Sequence, residues 1–182
     1  DRAEWEKFVN SLTTNLTSFF REPHHFPIFA EHLRKLGTRR PIRVWCSAAS
    51  TGEEPYSIAM ALLDAQAGMG RAPRIQILAT DLDTQVLLQA REAVYPLAAL
   101  DKLPTGYASR YFETLPDGKQ VRVKPALRQI VSFRRLNLID PQSGWGISER
   151  MDAVFCRNVM IYFDRQTQRD VLAKFPPVLR ED

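Results

Sequence analysis

The side chains most able to do chemistry follow short apolar runs of this chain. Asp81 comes directly after the run 75–80. An acid at the end of such a strand either bonds the two hydroxyls of a ribose or caps the helix that follows. The position of Asp81 at the strand end favours ribose binding over capping for this residue. Ribose binding is less favoured for Asp83, which lies two residues later. Arg157 and Asn158 follow another apolar run and are either turn residues or site residues, between which periodicity cannot choose.

The segment 47–52, Ser-Ala-Ala-Ser-Thr-Gly, predicts a loop that leads into a helix. Its small side chains let the backbone approach a ligand closely, but its single glycine departs from the G-x-G-x-x-G pattern of pyrophosphate loops. Glu53 and Glu54 at the helix start would repel a pyrophosphate and would suit a ligand that carries positive charge. Together with a ribose-binding acid, these features indicate a nucleoside sulfonium, with S-adenosylmethionine as the obvious candidate. A NAD-type oxidoreductase is the enzymatic alternative.

Two helices are predicted before this loop. Apolar spacing indicates an amphipathic helix that begins near Trp5 and ends within 11–15, and a second helix over about 23–36. Asn15 and Thr17 lie between them. Because both side chains can accept hydrogen bonds from free backbone amides, spacing alone favours helix capping as their role.

After residue 40, strands and helices alternate along the chain. The pattern predicts strands over 42–46, 74–80 and 151–156, and helices over 53–67, 83–92 and 167–179. This alternation is typical of an α/β fold with a parallel sheet and right-handed crossovers. Ligands of such sheets bind beyond the carboxyl ends of the strands, where the polar side chains described above lie.

One stretch interrupts the alternation. Residues 111–115 and 121–123 flank the turn 116–120, which contains Asp-Gly, and predict a β-hairpin. Part of the next strand, 130–136, is expected to join the same small antiparallel insertion. Six positive residues and no acid fall between 119 and 135: Lys119, Arg122, Lys124, Arg128, Arg134 and Arg135. This run is either a solvated face or a basic patch for an acidic partner.

Composition limits the class of protein. The 182 residues include 25 Lys and Arg against 21 Asp and Glu, and 45% are hydrophobic. Those fractions indicate one ordinary globular domain with a small annex and exclude disorder and collagen-like repeats. No apolar run reaches the length of a membrane span. The net charge of +4 is small for a nucleic-acid-binding arm.

Cysteine and histidine usage argues against a disulfide or metal framework. Cys46 and Cys156 lie within apolar runs and predict buried, reduced thiols of a cytoplasmic protein, with a disulfide as the minor alternative. His24, His25 and His32 lack Cys or clustered carboxylate partners at metal-ligand spacing, so no metal site is expected. No signal-peptide pattern opens the chain.

Four ordered blocks of the sequence are familiar. They are TNLTSFFRE at 14–22 with His25-Phe26 after it, RVW at 43–45 continuing to STGEEPYS at 50–57, ATDLDT at 79–84, and FCRNVMIYFD at 155–164. In these blocks the chain resembles the CheR family of chemotaxis receptor methyltransferases, which esterify glutamate side chains with S-adenosylmethionine. The blocks span nearly the whole chain. The resemblance implies a Rossmann-like methyltransferase sheet with a small antiparallel β-subdomain.

The resemblance also implies roles for matching residues, and it replaces helix capping as the expected role of Asn15 and Thr17. The residues expected at the cofactor are Asn15, Thr17, Arg21, Glu54 as the acid after the first strand, Asp81 at the ribose, Asn137 and Leu138 beside the adenine, and Arg157 and Asn158. Arg21 and Tyr162 are expected nearest the transferring methyl group and are the predicted catalytic residues.

At the level of domains, the resemblance implies a helical lead-in over 1–36 that contributes to the cofactor site. It implies a methyltransferase domain over 37–182 with the β-subdomain at about 107–135. An N-terminal helical domain and final sheet strands of the family are expected to be missing from this segment. The expected partners are methyl-accepting chemotaxis receptors in the cytoplasm, with a β-subdomain contact, although the hairpin loop 116–120 is short for gripping a tethering peptide. A monomer without membrane insertion or bound nucleic acid is expected.

The chemistry so predicted needs no general base, because a glutamate with a pKa near 4.3 is already ionised at pH 7. Two other interpretations stay open beside the NAD-type enzyme. One is a non-catalytic domain that keeps the methyltransferase fold and binds a receptor or a nucleotide. The other is a nucleic-acid methyltransferase, for which the chain offers no aromatic and basic platform.

Overall fold

The computed structural model describes residues 15–36, 40–67, 72–140 and 145–181, together with the isolated residues 4 and 69. The amphipathic helix predicted from about Trp5 lies outside the described residues. Within them, no helix is long and apolar enough to span a bilayer.

The centre of the molecule is a parallel sheet of four strands. Its spatial order is β6 (Val131–Arg135), β2 (Ile75–Asp81), β1 (Ile42–Cys46) and β7 (Ala153–Phe155). Both neighbours of β1 pair with it in parallel, and β2 pairs in parallel with β6. The predicted α/β fold with a parallel sheet is therefore confirmed. The order of strands reverses between β1 and β7, since the chain first builds outward on one side of β1 and then returns to the other.

Helices and short turns cover this sheet. The helices are α1 (His25–Leu36), α2 (Glu53–Ala65), α3 (Thr84–Glu92), α4 (Tyr107–Tyr111), α5 (Pro125–Arg128) and α6 (Arg165–Ala173), and 3-10 turns occupy Leu97–Leu100, Met160–Tyr162 and Pro176–Val178. The last helix was predicted over 167–179, but α6 ends at Ala173. Two consecutive prolines, Pro176 and Pro177, follow α6, and proline cannot continue a helical hydrogen-bond ladder.

The alternation of side chains along β1 builds two separate cores. Val44 and Cys46 pack into one buried cluster, whereas Trp45 between them packs into the other with Trp145 and Phe175. Successive strand residues point to opposite faces, so each face of the sheet has its own core. The Trp45 and Trp145 rings meet edge to face at 4.8 Å.

The two cysteines lie in these different clusters. Cys46 is buried within the first, and Cys156 is half-buried against the second; both are free thiols. Residues that pack on opposite faces of a sheet cannot be bridged by a disulfide without moving the backbone.

A second, antiparallel sheet has the order β3 (Val94–Pro96), β5 (Gln120–Val123) and β4 (Phe112–Thr114). The predicted hairpin is present, since β4 pairs with β5. The expectation that residues near 130–136 join it is wrong. Those residues form β6, whose register with β2 runs from Ile77↔Val131 to Asp81↔Arg135, so the third antiparallel strand is β3. The insertion thus begins at Val94, earlier than the predicted 107, and its last strand ends at Val123.

Candidate functional site

The carboxyl ends of the parallel strands surround a cavity of about 270 Å³ at the point where the strand order reverses. This is the position at which open α/β sheets bind ligands. All ten residues predicted for the site line this cavity: Asn15, Thr17, Arg21, Glu54, Asp81, Asn137, Leu138, Arg157, Asn158 and Tyr162. The structure thus brings together every predicted site residue, while the individual roles stay predictions.

The loop 47–52 is held against the strand ends by hydrogen bonds on both sides. The Ser47 amide donates to the Phe155 carbonyl at 2.9 Å, and the Ala49 amide donates to the Thr80 carbonyl at 2.8 Å. The Thr80 hydroxyl donates to the Ser47 carbonyl at 3.2 Å and accepts from the Trp45 indole at 2.9 Å. Three residues of the loop so held, Ser47, Ala48 and Ser50, line the cavity.

Gly52 makes the turn from this loop into α2. It adopts φ 99°, and a Cβ atom there would lie 2.8 Å from the Tyr95 hydroxyl and 2.9 Å from the Ala90 Cβ. A side chain would be excluded by both the backbone conformation and the lack of space. Gly52 occupies the N-cap position of α2 without a side-chain cap, so neither Ser50 nor Thr51 caps this helix.

Asp81 ends β2 with its carboxylate at the cavity wall. One oxygen accepts from the Ser50 amide at 2.8 Å and the other from the Asp83 amide at 3.1 Å. Burial raises the pKa of Asp81, and these backbone hydrogen bonds oppose that shift by favouring the charged form. The carboxylate is therefore oriented by backbone donors while still facing a ligand space.

Asp83 has a different role. It is the N-cap of α3, where its Oδ1 accepts from the Gln85 amide at 2.8 Å and the Val86 amide at 3.3 Å. Its Oδ2 accepts from the Asn15 side-chain amide at 3.1 Å, which draws the lead-in segment onto the sheet. Asp83 is therefore the residue that caps this helix, and the Asn15 side chain donates a hydrogen bond to it.

Glu54 in the first turn of α2 forms an ion pair across the reversal point of the sheet. Its Oε2 lies 3.0 Å from Nη1 of Arg157, and both side chains are largely buried, at 11% and 13% exposure. Burial raises the pKa of Glu54, and the Arg157 guanidinium opposes that shift. Glu53, the neighbouring acid, does not line the cavity. Its carboxylate accepts a hydrogen bond from the Thr51 hydroxyl at 2.6 Å.

Arg157 also has a buried atom without a protein partner. Its two terminal nitrogens contact protein groups, whereas its Nε has no hydrogen-bond partner among the described residues. Buried donors are rarely left unsatisfied in folded proteins.

Arg21 lies on a tight turn between two residues in left-handed conformation, Phe20 at φ 51° and Glu22 at φ 54°. The Phe20 amide donates to the Ser57 hydroxyl at 2.9 Å in the interior. The Arg21 guanidinium donates to the Leu16 carbonyl at 2.8 Å. Non-glycine residues with positive φ are uncommon and cluster at functional sites, where surrounding contacts hold them.

Tyr162 lies at the cavity mouth and is 58% exposed. It belongs to the 3-10 turn Met160–Tyr162, which the Gln168 side chain anchors by donating to the carbonyls of Met160 and Phe163 at 2.9 and 3.0 Å. Asp164, two residues after Tyr162, caps α6 by accepting from the Thr167 amide. The fourth motif block, 155–164, thus combines predicted site residues with a helix cap.

Several lining residues were missed by reasoning from the sequence. Most are apolar neighbours of predicted polar residues: Leu16, Leu82, Leu136, Ile139, Val159 and Phe163. Leu136 is tied to the site because its amide donates to the Asp81 carbonyl at 2.9 Å. The sequence offered one signal for them, which is that several lie next to a predicted site residue such as Asp81, Asn137 or Asn158. Apolar residues at loop positions could equally have been core residues, so the sequence did not separate the two.

Comparison with known proteins identifies the family. The family model described as "CheR methyltransferase, SAM binding domain" matches residues 15–182. The chain belongs to this family. The match covers every residue that lines the cavity, and the Rossmann-like fold predicted from the resemblance is shown.

Curated CheR relatives match over nearly the whole chain. A chemotaxis protein methyltransferase 2 from Pseudomonas aeruginosa is 48% identical over 98% of this chain and 64% of its own length. Chemotaxis protein methyltransferases from Salmonella typhimurium and Escherichia coli are 50% and 49% identical, over 99% and 98% of this chain and 61% of their own lengths. The chain thus spans a little under two thirds of these relatives.

Proposed function

We propose that this chain is the part of a chemotaxis methyltransferase that binds S-adenosylmethionine and transfers its methyl group to receptor glutamates. The acceptors are side-chain carboxylates of methyl-accepting chemotaxis receptors in the cytoplasm, and the products are a glutamyl methyl ester and S-adenosylhomocysteine. The observation that carries the proposal is the cavity at the reversal point of the sheet, which Asp81, Glu54 and Arg21 line together.

The donor set of the cavity fits S-adenosylmethionine. Asp81 offers an oriented carboxylate for the two ribose hydroxyls, and Leu82 and Leu138 offer apolar surface for an adenine beside Asn137. Glu54 suits the positive charge of the cofactor. When bound, S-adenosylmethionine supplies an electrophilic methyl group.

The chain itself contributes alignment and exclusion of water. A glutamate acceptor needs no proton removed at pH 7 because its carboxylate is already charged. Arg21 orients the carboxylate oxygens, and Tyr162 packs against or donates to the reacting centre. The bound cofactor would supply its methyl group to one of these acceptor oxygens and would leave as S-adenosylhomocysteine. Positioning of this kind contributes about 7–11 kcal/mol to lowering a barrier.

The same reasoning extends to the division of the chain and to its partner. Residues 1–36 are the lead-in and 37–182 the cofactor-binding domain, which is supported by Asn15 and Arg21 of the lead-in lining the cavity. The basic residues of the β-subdomain, such as Lys119 and Arg122, suit contact with the acidic, glutamate-bearing helices of a receptor. A monomer in solution stays our prediction.

A non-catalytic, receptor-binding domain is the alternative within the same fold. It would keep the cavity but transfer no methyl group. A NAD-type oxidoreductase is less favoured, because Glu54 and the single glycine of loop 47–52 do not suit a pyrophosphate.

The experiment is calorimetric titration of S-adenosylhomocysteine into the chain and its Asp81→Ala variant. Asp64→Ala is the matched control, because Asp64 is an exposed acid that pairs with Arg110 at 3.0 Å and does not line the cavity. Binding by the wild type and by the control, with loss in Asp81→Ala, supports the cofactor site. Formation of alkali-labile methyl esters on a receptor fragment then tests catalysis. A folded wild-type chain that does not bind contradicts the proposal.

A further inference from the structure

Glu22 lies outside the cavity, yet its carboxylate contacts two residues that line it. Its Oε1 accepts from the Asn158 side-chain amide at 3.2 Å, and its Oε2 lies 3.2 Å from Nη2 of Arg157. The side chain is 41% exposed and belongs to the first motif block, where no role follows for it from the sequence. Both oxygens thus contact the Arg157–Asn158 pair that follows β7, and Oε2 also lies 3.6 Å from Nδ1 of His25.

Arg157 connects this carboxylate to the rest of the site. Its Nη1 donates to Glu54 at 3.0 Å, and its Nη2 donates to the Arg21 carbonyl at 2.7 Å. A guanidinium presents its donors in a rigid planar fork, so one side chain can serve these acceptors together. Arg157 therefore joins the turn at Arg21 to the start of α2, and Glu22 and Glu54 share its charge.

The backbone around Glu22 requires such support. Glu22 at φ 54° and Asn158 at φ 57° are both in the left-handed region, and the side-chain contact joins them. Phe20, the other left-handed residue of the turn, is held by its buried ring and by the Ser57 hydroxyl. A left-handed residue other than glycine persists only where neighbouring contacts hold it. On the Glu22 side, the described contacts of the side chain supply that support.

We propose that Glu22 is a positioning residue that keeps Arg157 and Asn158, and through Arg157 the Arg21 turn, in the geometry that binds the cofactor. The inference rests on the proposed function. In that function, Glu54 attracts the α-ammonium group that S-adenosylmethionine and S-adenosylhomocysteine share, which weakens its hold on Arg157. Glu22 then retains Arg157 in place. The hydrogen bonds from Asn158 and Arg157 lower the pKa of Glu22, so its carboxylate stays charged at neutral pH.

The test is a double-mutant cycle read by calorimetric titration of S-adenosylhomocysteine into the 182-residue chain. Glu22→Gln is measured alone and in an Arg157→Lys background. We expect about tenfold weaker binding from Glu22→Gln alone, because a charge-assisted contact is lost. In the Arg157→Lys background we expect a further change of less than about twofold, since a lysine is a point charge that cannot bridge both acids. Glu22→Asp keeps the charge and should bind more like wild type than Glu22→Gln does.

Glu149→Gln is the matched control, because Glu149 is an exposed acid 2.7 Å from Arg43 at the opposite edge of the sheet. It should bind like wild type, and thermal unfolding by circular dichroism establishes that each variant is folded. Wild-type affinity in Glu22→Gln would overturn the inference. An equal loss in both backgrounds would also overturn it, since that is the result of a purely structural role. A folded wild-type chain that binds no S-adenosylhomocysteine would instead overturn the proposed function, and this inference with it.

Discussion

The parallel sheet has an amino edge, where its strands begin, and a carboxyl edge, where they end. Each edge holds a cluster of charged side chains, and the two clusters have opposite ratios of acids to arginines. At the amino edge, the Asp152 side chain is 1% exposed and contacts two arginines, Arg40 and Arg180, the latter at 3.3 Å. It also accepts from the Arg43 amide at 2.7 Å. At the carboxyl edge, two acids, Glu54 and Glu22, share the guanidinium of Arg157.

This difference separates a structural cluster from one that suits a ligand. One acid with two cations leaves Asp152 fully compensated by its own protein. At the carboxyl edge two acids share Arg157 beside the cavity that Glu54 lines, and burial raises the pKa of Glu54 although the Arg157 and Arg21 guanidinium groups oppose that shift. A positive group in the cavity would therefore stabilise the charged form of Glu54. The same residue types thus hold the fold together at one edge and suit ligand binding at the other.

The largest expected effect is on stability and comes from the amino edge. Asp152→Ala leaves Arg40 and Arg180 without their buried partner and should lower the free energy of unfolding by about 3 kcal/mol. That is the lower end for a broken buried pair, because both arginines keep access to water. Urea unfolding measures it. Unchanged affinity for S-adenosylhomocysteine in the folded variant is expected, and a large loss of affinity would break the separation between the two edges.

At the carboxyl edge, Arg21→Ala should reduce the rate of methyl transfer by about 100-fold, as loss of an oriented donor at a reacting centre does. Affinity for S-adenosylhomocysteine should change by less than about threefold, because the guanidinium is expected to act on the acceptor carboxylate. Steady-state kinetics with a receptor fragment and calorimetry separate the two quantities. An unchanged rate would remove Arg21 from the mechanism.

Glu54→Gln should weaken the binding of S-adenosylhomocysteine by about tenfold, because the neutral amide no longer attracts the α-ammonium group, which is the positive group of this ligand. The amide keeps the size of the side chain and can still accept from Arg157, so the free energy of unfolding should change by less than about 1 kcal/mol. Calorimetry and urea unfolding test both quantities. A loss of stability without a loss of affinity would make this cluster resemble the one at Asp152.

The smallest effect is a pH dependence of binding. The pKa of Glu54 lies above its ordinary value of 4.5 in the free protein, and a bound positive group would lower it. Binding should therefore release a proton and strengthen as pH rises through that raised pKa, by up to about tenfold per pH unit. Titrations across the region above pH 4.5 measure this slope. The slope should flatten in Glu54→Gln, and an identical profile in that variant would assign the dependence to another group, such as Asp81.

Much of the fold followed from local patterns. The apolar runs placed β1 and most of β2, and their alternation with helices predicted the parallel sheet. The third strand of the antiparallel sheet was assigned wrongly, because residues 130–136 have no local feature that distinguishes pairing with the hairpin from pairing with β2. Their register with Ile77–Asp81 depends on contacts between distant parts of the chain.

The site shows the same division. The resemblance selected ten residues that line one cavity, and the residue types alone indicated a nucleoside with positive charge. Spacing could not assign Asn15, whose side chain contacts Asp83, a residue 68 positions away. It also gave no role to Glu22, because its partners follow β7 more than 130 residues later.

The sequence by itself determined the alternating elements, the chemical types at the strand ends and the family, because these depend on residues close together in the chain. Only the tertiary structure decided how charge is shared. Whether a carboxylate is compensated, as Asp152 is, or faces a cavity, as Glu54 does, depends on which side chains the crossovers bring within 3–4 Å. Electrostatic energy at that range varies with distance and burial, and neither can be read from spacing along the chain.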